Sequence, residues 1–306
     1  MKLRYFVLII ATFLVTSVSM PQLANSVSMQ GELICFTATP VATATLYFPT
    51  ETPTITPTPV FVQPTVTPSA VYKKGVVGSG VNNRLTFNPS VVGADWWYDY
   101  ISTYGPTNGW IPMVSGLTYN PQMVIATAKR VKGYWLILNE PDFNSAMTPA
   151  QAAKLYYDVR TSALVYDPSA KFIVGGVWSL EESSRTYLLN MASEYKRLYG
   201  VKMPADGYHA HLYLCGRDYS AYTYRKKIEV FRGWLNTSGL GGEFWLTETG
   251  CLNNDATAQL IMTENKDWLK STPFVTRYAW FAMQNTKGSG TLQTINGLTI
   301  LGNLYK

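Results

Sequence analysis

Two glutamates of the sequence follow apolar runs in the same way. Glu140 closes the stretch "YWLILNE" directly before Pro141, and Glu248 closes the stretch "EFWLTE" shortly before Gly250. Because proline fixes its own φ and disfavours helical backbone in the residue before it, Glu140 is expected to be extended at a strand end. Solvation would explain one such residue, since glutamate is seldom buried without a partner. Two glutamates in matching positions indicate a shared site.

Paired carboxylates at one site are suited to the cleavage of glycosidic bonds. One carboxyl group has to be protonated to donate to the leaving oxygen, while the other has to be ionised to attack or to stabilise an oxocarbenium-like transition state. Negative charges held close together raise one pKa and leave the other low, so the pairing itself divides the roles. The two glutamates therefore predict this chemistry if the fold brings them together.

The elements that position these residues alternate in type after residue 70. Eight short apolar runs are predicted as strands, at 74–79, 95–100, 109–115, 134–140, 171–177, 207–214, 243–249 and 277–284. Amphipathic helix patterns lie at about 121–131, 148–166, 181–199, 222–235 and 256–270, and Thr148 with Gln151 forms a predicted capping box at the start of the second. This alternation predicts an α/β protein with a single compact (β/α)₈ TIM barrel, with irregular connections after the first and last strands.

Enzymes with this fold carry their catalytic groups at the carboxyl ends of the strands. On the sixth predicted strand His209, His211 and Tyr213 share one side, with His209 deeper and hydrogen-bonded and His211 nearer the mouth. Trp280, at the end of the eighth strand, is suited either to stacking on a sugar ring or to filling the core. Since the chain has two histidines in all, no hydrolytic metal centre is predicted, and no cofactor is expected.

Four motifs in this order carry a resemblance to a known group of enzymes. "LILNEPDF", "HAHLY", "EFWLTETG" and "RYAWFAM" resemble the retaining (β/α)₈ glycoside hydrolases of clan A, and in particular family 128, whose members are β-1,3-glucanases. The segments "ADWWYDY" and "NGLTILGNLY" add to this likeness.

The resemblance implies a role for individual residues. Glu140 would be the general acid/base and Glu248 the nucleophile, Asn139 would hydrogen-bond the hydroxyl next to the anomeric carbon, and Tyr213 would lie beside the nucleophile. His211 and Trp280 complete the predicted substrate-binding set. Because regular strand alternation cannot point Asn139 and Glu140 inward together, a kink is expected at this strand end, with Pro141 as its cause.

The resemblance leaves the substrate open. A polysaccharide, most simply a β-1,3-glucan cut internally, is the expected partner of a monomeric enzyme. Xylan, mannan or a β-1,4-glucan remain alternatives, as does a carbohydrate-binding barrel without activity. No nucleic acid is expected, since the net charge of +6 comes from scattered residues and the one short basic cluster is 225–227.

The first 70 residues predict export. Residues 1–24 read as a signal peptide, because Lys2 and Arg4 precede an apolar run that is shorter than the ~20 residues of a membrane span. Residues 25–70 are expected to form a Thr/Pro-rich disordered linker to a catalytic domain at 71–306. We expect a secreted or surface-tethered protein, with an uncleaved signal anchor as the alternative.

Two cysteines follow neighbouring predicted strands. Cys215 comes after the sixth strand and Cys251 after the seventh, so a barrel would place them side by side. A disulfide between them is one expectation for an oxidising compartment, and two free thiols are the other.

Overall fold

The computed structural model describes residues 73–78, 88–100, 109–116, 119–143, 146–284 and 290–306. The predicted signal peptide and linker therefore lie outside the described residues. Within these residues, every helix is too short or too polar to cross a membrane.

Eight parallel strands form one sheet. They are β1 (Lys74–Val77), β2 (Trp96–Tyr98), β3 (Met113–Val114), β4 (Tyr134–Ile137), β5 (Lys171–Val177), β6 (Gly207–Tyr213), β7 (Glu243–Gly250) and β8 (Arg277–Trp280). The sheet runs in the order β2-β1-β8-β7-β6-β5-β4-β3. Its two edges meet at a parallel bridge between Trp97 and Trp110, where Trp97 N donates to Gly109 O at 3.0 Å and Ile111 N donates to Trp97 O at 2.9 Å. The predicted (β/α)₈ barrel is confirmed.

Helices follow six of the strands in the described part of the chain. They are α1 (Pro121–Ala128), α2 (Pro149–Leu164), α3 (Glu182–Tyr199), α4 (Ala221–Thr237), α5 (Asp255–Ser271) and α6 (Ile300–Tyr305). The capping box of α2 is present, because Gln151 N donates to Thr148 Oγ1 at 3.3 Å and Thr148 N donates to Gln151 Oε1 at 2.8 Å. These bonds satisfy backbone donors that a helix start leaves open.

The chain after β8 is more regular than the sequence predicts. A short antiparallel pair, β9 (Gln293–Thr294) and β10 (Gly297–Leu298), leads into α6. Thr299 Oγ1 accepts from Gly302 N at 3.0 Å and so caps α6. The predicted irregular connection is therefore wrong here, because a side-chain cap starts a helix too short to show an apolar period.

The core has an inner and an outer layer. The inner layer fills the barrel with side chains from strands and strand ends, namely Val77, Trp96, Tyr98, Ile111, Met113, Leu136, Ile173, Trp245, Ala279 and Ala282. The outer layer packs the opposite faces of the strands against the helices. Gly75 makes the inner layer possible, because a Cβ at this position would lie 2.2 Å from the indole ring of Trp96.

The lower end of the barrel is closed by a cation among aromatic rings. The Arg277 guanidinium lies 4.6 Å from the Trp245 ring and 4.9 Å from the Tyr134 ring. Glu243 accepts from Tyr134 OH and from Trp245 Nε1, both at 2.8 Å. This charged and aromatic floor leaves the opposite end, at the carboxyl ends of the strands, for chemistry.

Candidate active site

Strand β4 ends in a sharp bend that sets Glu140. Leu138 and Glu140 have φ values of 76° and 45°, in the left-handed region that residues with a side chain seldom adopt. Glu140 N donates to Gly176 O at 2.7 Å, and a Cβ on Gly176 would lie 2.6 Å from Leu138 O. The expected kink is therefore present. The expected extended backbone at Glu140 is wrong, because hydrogen bonding to β5 holds the bend in a left-handed form that proline alone does not specify.

Glu248 lies near the end of β7 and is almost fully buried, with 3% of its surface exposed. Its Oε1 accepts from Tyr100 OH at 2.8 Å and from Tyr98 OH at 3.1 Å, while Oε2 accepts from Tyr213 OH at 2.5 Å. Burial and the nearby Glu248 charge raise the pKa of all three tyrosines well above the usual value. The phenols therefore stay protonated and donate three hydrogen bonds to the carboxylate.

His211 links the two glutamates. Its Nδ1 lies 3.0 Å from Glu140 Oε1 and its Nε2 lies 3.5 Å from Glu248 Oε1, and the imidazole is fully buried. Burial alone would lower the pKa of His211, but the Glu248 charge and the hydrogen bond and charge of Glu140 raise it above the usual value. Both contacts favour a proton-bearing imidazole that holds the carboxylates at a fixed separation.

His209 lies deeper in the barrel. Its Nε2 donates to Ile137 O at 3.1 Å, so its Nδ1 accepts from Thr247 Oγ1 at 2.9 Å. Burial and the neighbouring His211 lower the pKa of His209 to about 3. The residue is thus a neutral, fully hydrogen-bonded part of the interior, as the sequence predicts.

The glutamates open onto a cleft with a volume of about 540 Å³. It is lined by Tyr100, Asn139, Glu140, Phe143, Trp178, Tyr213, Cys215, Glu248, Leu252, Asn253 and Phe281. At its outer wall Phe143 and Trp178 stack with ring centroids 4.6 Å apart and are 56% and 41% exposed. The cleft therefore combines buried acids with accessible aromatic surface, which suits a sugar ring that has both hydroxyls and an apolar face.

Two of the predicted substrate-binding residues do not line this cleft. Trp280 is only 2% exposed, its Nε1 donates to Gly290 O at 2.8 Å, and its ring packs near Tyr305. The alternation of β8 turns Ala279 inward and Trp280 outward, so the aromatic side chain in the cleft is the next one, Phe281. The sugar-stacking prediction for Trp280 is wrong for this reason. His211 lies between the glutamates rather than on the cleft surface.

Several residues that line the cleft are not identified by looking for polar residues at predicted strand ends. Tyr100, Phe143, Leu252, Asn253 and Phe281 come from loops or from strand ends without a distinctive motif. One signal was available in "DWWYDY", where Trp96, Tyr98 and Tyr100 alternate and so face the same side of β2. That spacing places two phenols above an indole inside the barrel.

A disulfide joins Cys215 and Cys251, with the two Cα atoms 5.2 Å apart. Of the two alternatives that the sequence leaves open, the structure has the bridged one. It ties the chain after β6 to the chain after β7, directly beyond Tyr213 and Glu248. Two walls of the cleft are thereby covalently connected.

The same side chains could also offer atoms to a metal ion. Glu140, His211 and Glu248 each present one ligand atom, and these atoms lie within 4.8 Å of one another. The hydrogen bonds at these carboxylates argue against a metal site, however. Phenol O–H groups and the imidazole of His211 already bind the carboxylate oxygens. A cation would have to displace these hydrogen bonds, so the arrangement matches a pair of hydrogen-bonded carboxyl groups better than a metal site.

The fold and the site together define a class of enzyme, the (β/α)₈ hydrolases that work with two carboxyl groups at the barrel mouth. The chain belongs to the family described as glycosyl hydrolase catalytic core, whose family model matches residues 72–305, and it is a glycoside hydrolase. No curated protein sequence matches the chain.

Solved structures with this fold include several enzymes of glycoside hydrolase family 128. A subgroup II endo-β-1,3-glucanase from Sorangium cellulosum is 19% identical with a TM-score of 0.60, over 76% of this chain and 97% of that one. A subgroup I endo-β-1,3-glucanase from Amycolatopsis mediterranei, in complex with laminaritriose, is 21% identical with a TM-score of 0.59, over 76% and 98%. A subgroup III curdlan-specific exo-β-1,3-glucanase from Blastomyces gilchristii is 20% identical with a TM-score of 0.59, over 78% and 98%. At these identities the likeness establishes the shared fold.

Proposed function

We propose that this glycoside hydrolase is a retaining endo-β-1,3-glucanase. The observation that carries the proposal is the separation of the two acids, since one carboxylate oxygen of Glu140 lies within 4.8 Å of one of Glu248. Retaining enzymes hold their carboxyl groups about 5–5.5 Å apart, whereas inverting enzymes leave about 6.5–9.5 Å for a water molecule. The short separation supports direct attack by a carboxylate on the sugar.

The different partners of the two glutamates support a division of roles. Glu248 accepts three phenol hydrogen bonds, which suits an ionised nucleophile, and Glu140 is paired with His211, which suits a group that exchanges its proton. In the first step Glu248 forms a bond to the anomeric carbon, and the bond to the leaving oxygen breaks as that oxygen takes the proton of Glu140. In the second step a water molecule gives a proton to Glu140 and attacks the same carbon, which releases Glu248.

The substrate proposal is supported by the family and by the cleft. The similar structures are named as β-1,3-glucanases, and one of them contains laminaritriose. In this chain Asn139 lies beside Glu140 in the lining of the cleft, and we propose that its side chain contacts the hydroxyl next to the anomeric carbon. Endo action is proposed because the cleft continues outward to the exposed pair Phe143 and Trp178.

The proposed place of action is outside the cell, either secreted or tethered to the surface. This rests on the basic and apolar N-terminal segment and the Thr/Pro-rich stretch that follows it, and a disulfide in the catalytic domain is consistent with it. Mass spectrometry of the protein recovered from its native host tests the point. Cleavage near residues 19–24 supports export, and an intact N-terminus in a membrane fraction supports the anchor alternative.

Hydrolysis of a polysaccharide panel tests the activity. We expect reducing ends from linear β-1,3-glucan in preference to mixed-linkage glucan, β-1,4-glucan, xylan and mannan, and NMR of the first products should show the β anomer. Glu140→Gln should lower kcat about 10²–10⁴-fold, as expected for loss of a general acid, and Glu248→Gln should abolish turnover.

Glu229→Gln is the matched control, because this glutamate lies exposed on α4 and pairs loosely with Lys226 at 3.9 Å. It should leave activity unchanged. Release of the α anomer would contradict retention, cleavage of xylan or mannan alone would reassign the substrate, and glucan binding without any product would favour a binding barrel.

A further inference from the structure

The two oxygens of Glu248 have different surroundings. We infer that Oε2, the oxygen bound by Tyr213, is the atom that attacks the sugar, and that Tyr98 and Tyr100 are positioning residues that hold Oε1. The inference deepens the proposed function and rests on it, because it names the reacting atom and two residues that no comparison assigns.

Hydrogen bonding separates the two oxygens. Oε1 accepts from Tyr100 at 2.8 Å and from Tyr98 at 3.1 Å, and His211 Nε2 is a further 3.5 Å contact. Oε2 has one donor among the described residues, Tyr213 at 2.5 Å. Since a carboxylate oxygen has two lone-pair sites, both sites of Oε1 are engaged and one site of Oε2 remains for a new bond.

The burial of the hydrogen-bond donors also distinguishes Oε1 from Oε2. Tyr98 is fully buried in the inner layer of the barrel and does not line the cleft, so this partner holds Oε1 from below. Tyr100 and Tyr213 both line the cleft, one on each oxygen, so the buried Tyr98 is the donor that distinguishes Oε1 from Oε2. The carboxylate is therefore oriented with Oε1 toward the interior of the barrel and with Oε2 on the side where a sugar binds.

A column of aromatic rings sets the positions of Tyr98 and Tyr100. The rings belong to β2 and to the residues at its end. Tyr98 stacks on Trp96 with centroids 6.1 Å apart at 16°, and Tyr100 meets Tyr98 edge-on at 6.2 Å and 90°. Trp96 in turn contacts Trp245 of β7 at 5.4 Å. The column fixes side-chain rotamers from the barrel floor upward, so the hydroxyls are in place before substrate arrives.

The hydroxyls are not explained by packing alone. Tyr100 OH donates to Glu248 and Tyr98 OH divides its proton between Glu248 Oε1 and Thr247 O, which lies 3.0 Å away. Phenylalanine would fill the same volumes. In the described part of the chain, the basic side chain paired with Glu248 is His211 alone, at 3.5 Å, whereas three phenols donate hydrogen bonds to the carboxylate.

Conservative variants test the positioning role. Tyr100→Phe should lower kcat about 10- to 100-fold with KM nearly unchanged, because the carboxylate is no longer held in the orientation from which Oε2 attacks. Tyr98→Phe should have a smaller effect in the same direction, since its proton is shared with Thr247 O. Inactivation by a 2-deoxy-2-fluoro-β-laminaribiosyl fluoride should slow by the same factors, since that reagent isolates the attack step. Tyr156→Phe is the matched control, because it removes a buried phenol that donates to Pro204 O, in the outer layer.

The structure of the trapped glycosyl-enzyme tests the atom assignment. We expect an ester through the Tyr213-bound oxygen, with Tyr98 and Tyr100 still on the other one. An ester through the oxygen bound by Tyr98 and Tyr100 would overturn the assignment. Tyr100→Phe kinetics equal to those of Tyr156→Phe, or an effect on KM alone, would overturn the positioning role. If wild-type protein were neither active on glucan nor labelled, the proposed function itself would fail, which is a separate outcome.

Discussion

At the scale of single residues, two histidines on one strand have opposite properties. His209 and His211 are both fully buried, but the pKa of His209 is lowered to about 3 by burial and by its neighbour, whereas carboxylate contacts raise that of His211. Two positions along β6 thus separate a structural imidazole with a lowered pKa from an active-site imidazole with a raised pKa. The difference lies in what faces each ring and not in the depth of burial.

The low pKa of His209 predicts a pH-dependent stability. In the unfolded chain His209 has a pKa of about 6.5 and is protonated below that pH. In the folded chain it stays neutral down to about pH 3. The stabilisation is therefore complete above pH 6.5 and is lost as the pH falls, by about 1.4 kcal/mol for each pH unit. Urea denaturation at several pH values between 6.5 and 5 measures this slope.

His209→Gln is the comparison for this prediction, because glutamine can still donate to Ile137 O and does not titrate. Its free energy of unfolding should fall less steeply, with a difference of about 2 kcal/mol accumulated between pH 6.5 and 5. His211 is present in both proteins, so its own contribution to the slope is common to the two curves. Equal slopes in the two proteins would contradict a neutral buried His209.

The residue scale also shows how far sequence reasoning extends. Glu140 and Glu248 were predicted as a pair because each ends an apolar run, a pattern local to its strand. Trp280 was misplaced by one position because the inward face of β8 depends on its register with β7, where the pairing shifts between Leu246 and Thr249. Two of the three phenols around Glu248, Tyr98 and Tyr100, come from β2 and its end, three strands away from β7 in the sheet, and no spacing rule connects them to β7.

At the scale of elements, alternation of strands and helices was enough to predict all eight strands, but not how they end. The bend after β4 depends on Leu138 and Glu140 in left-handed backbone and on the absence of a side chain at Gly176. The local sequence shows Pro141, but it does not show that Gly176 O of the neighbouring strand β5 accepts a hydrogen bond from the bent backbone. Contacts between elements determined this part of the site.

Strand β1 supports the site through a missing side chain. Gly75 pairs with Trp96, and a methyl group there would overlap the indole at 2.2 Å. We expect Gly75→Ala to push Trp96 and the column above it out of place, which should cost about 1–3 kcal/mol of stability and also lower kcat. Thermal denaturation and glucan hydrolysis measure the two effects.

Gly233→Ala is the matched control for this substitution. Gly233 lies in α4, and a Cβ there would meet nothing within 4 Å. This variant should be as stable as wild type or more stable by up to about 1 kcal/mol, since alanine favours helix. If Gly75→Ala behaved in the same way, the column would not depend on the close approach of β1.

At the scale of the whole molecule, one disulfide closes a loop that contains one helix and one strand of the barrel. Cys215 and Cys251 are separated by 36 positions, a stretch that contains α4 and β7. By loop-closure entropy, the double variant Cys215→Ala/Cys251→Ala should lose about 3–4 kcal/mol of unfolding free energy. Denaturant titration measures it, and an m-value like that of wild type would show that the comparison is two-state.

The activity of the same variant shows whether the disulfide contributes to catalysis as well as to stability. The disulfide lies beyond Tyr213 and Glu248, so kcat should be nearly unchanged at a temperature where the variant is folded. Cys251 is fully buried, and the alanine replacement avoids leaving a buried thiol. A stability equal to that of wild type would show that the barrel does not need the link.

The described chain begins at Lys73, immediately before β1, and the cleft opens where the strands end. The polypeptide therefore joins the barrel on the face that is turned away from its substrate. A partner joined directly at Lys73 would start from the end of the barrel opposite the cleft. For a fusion or an immobilised form of the enzyme, attachment at that end is the orientation that preserves access.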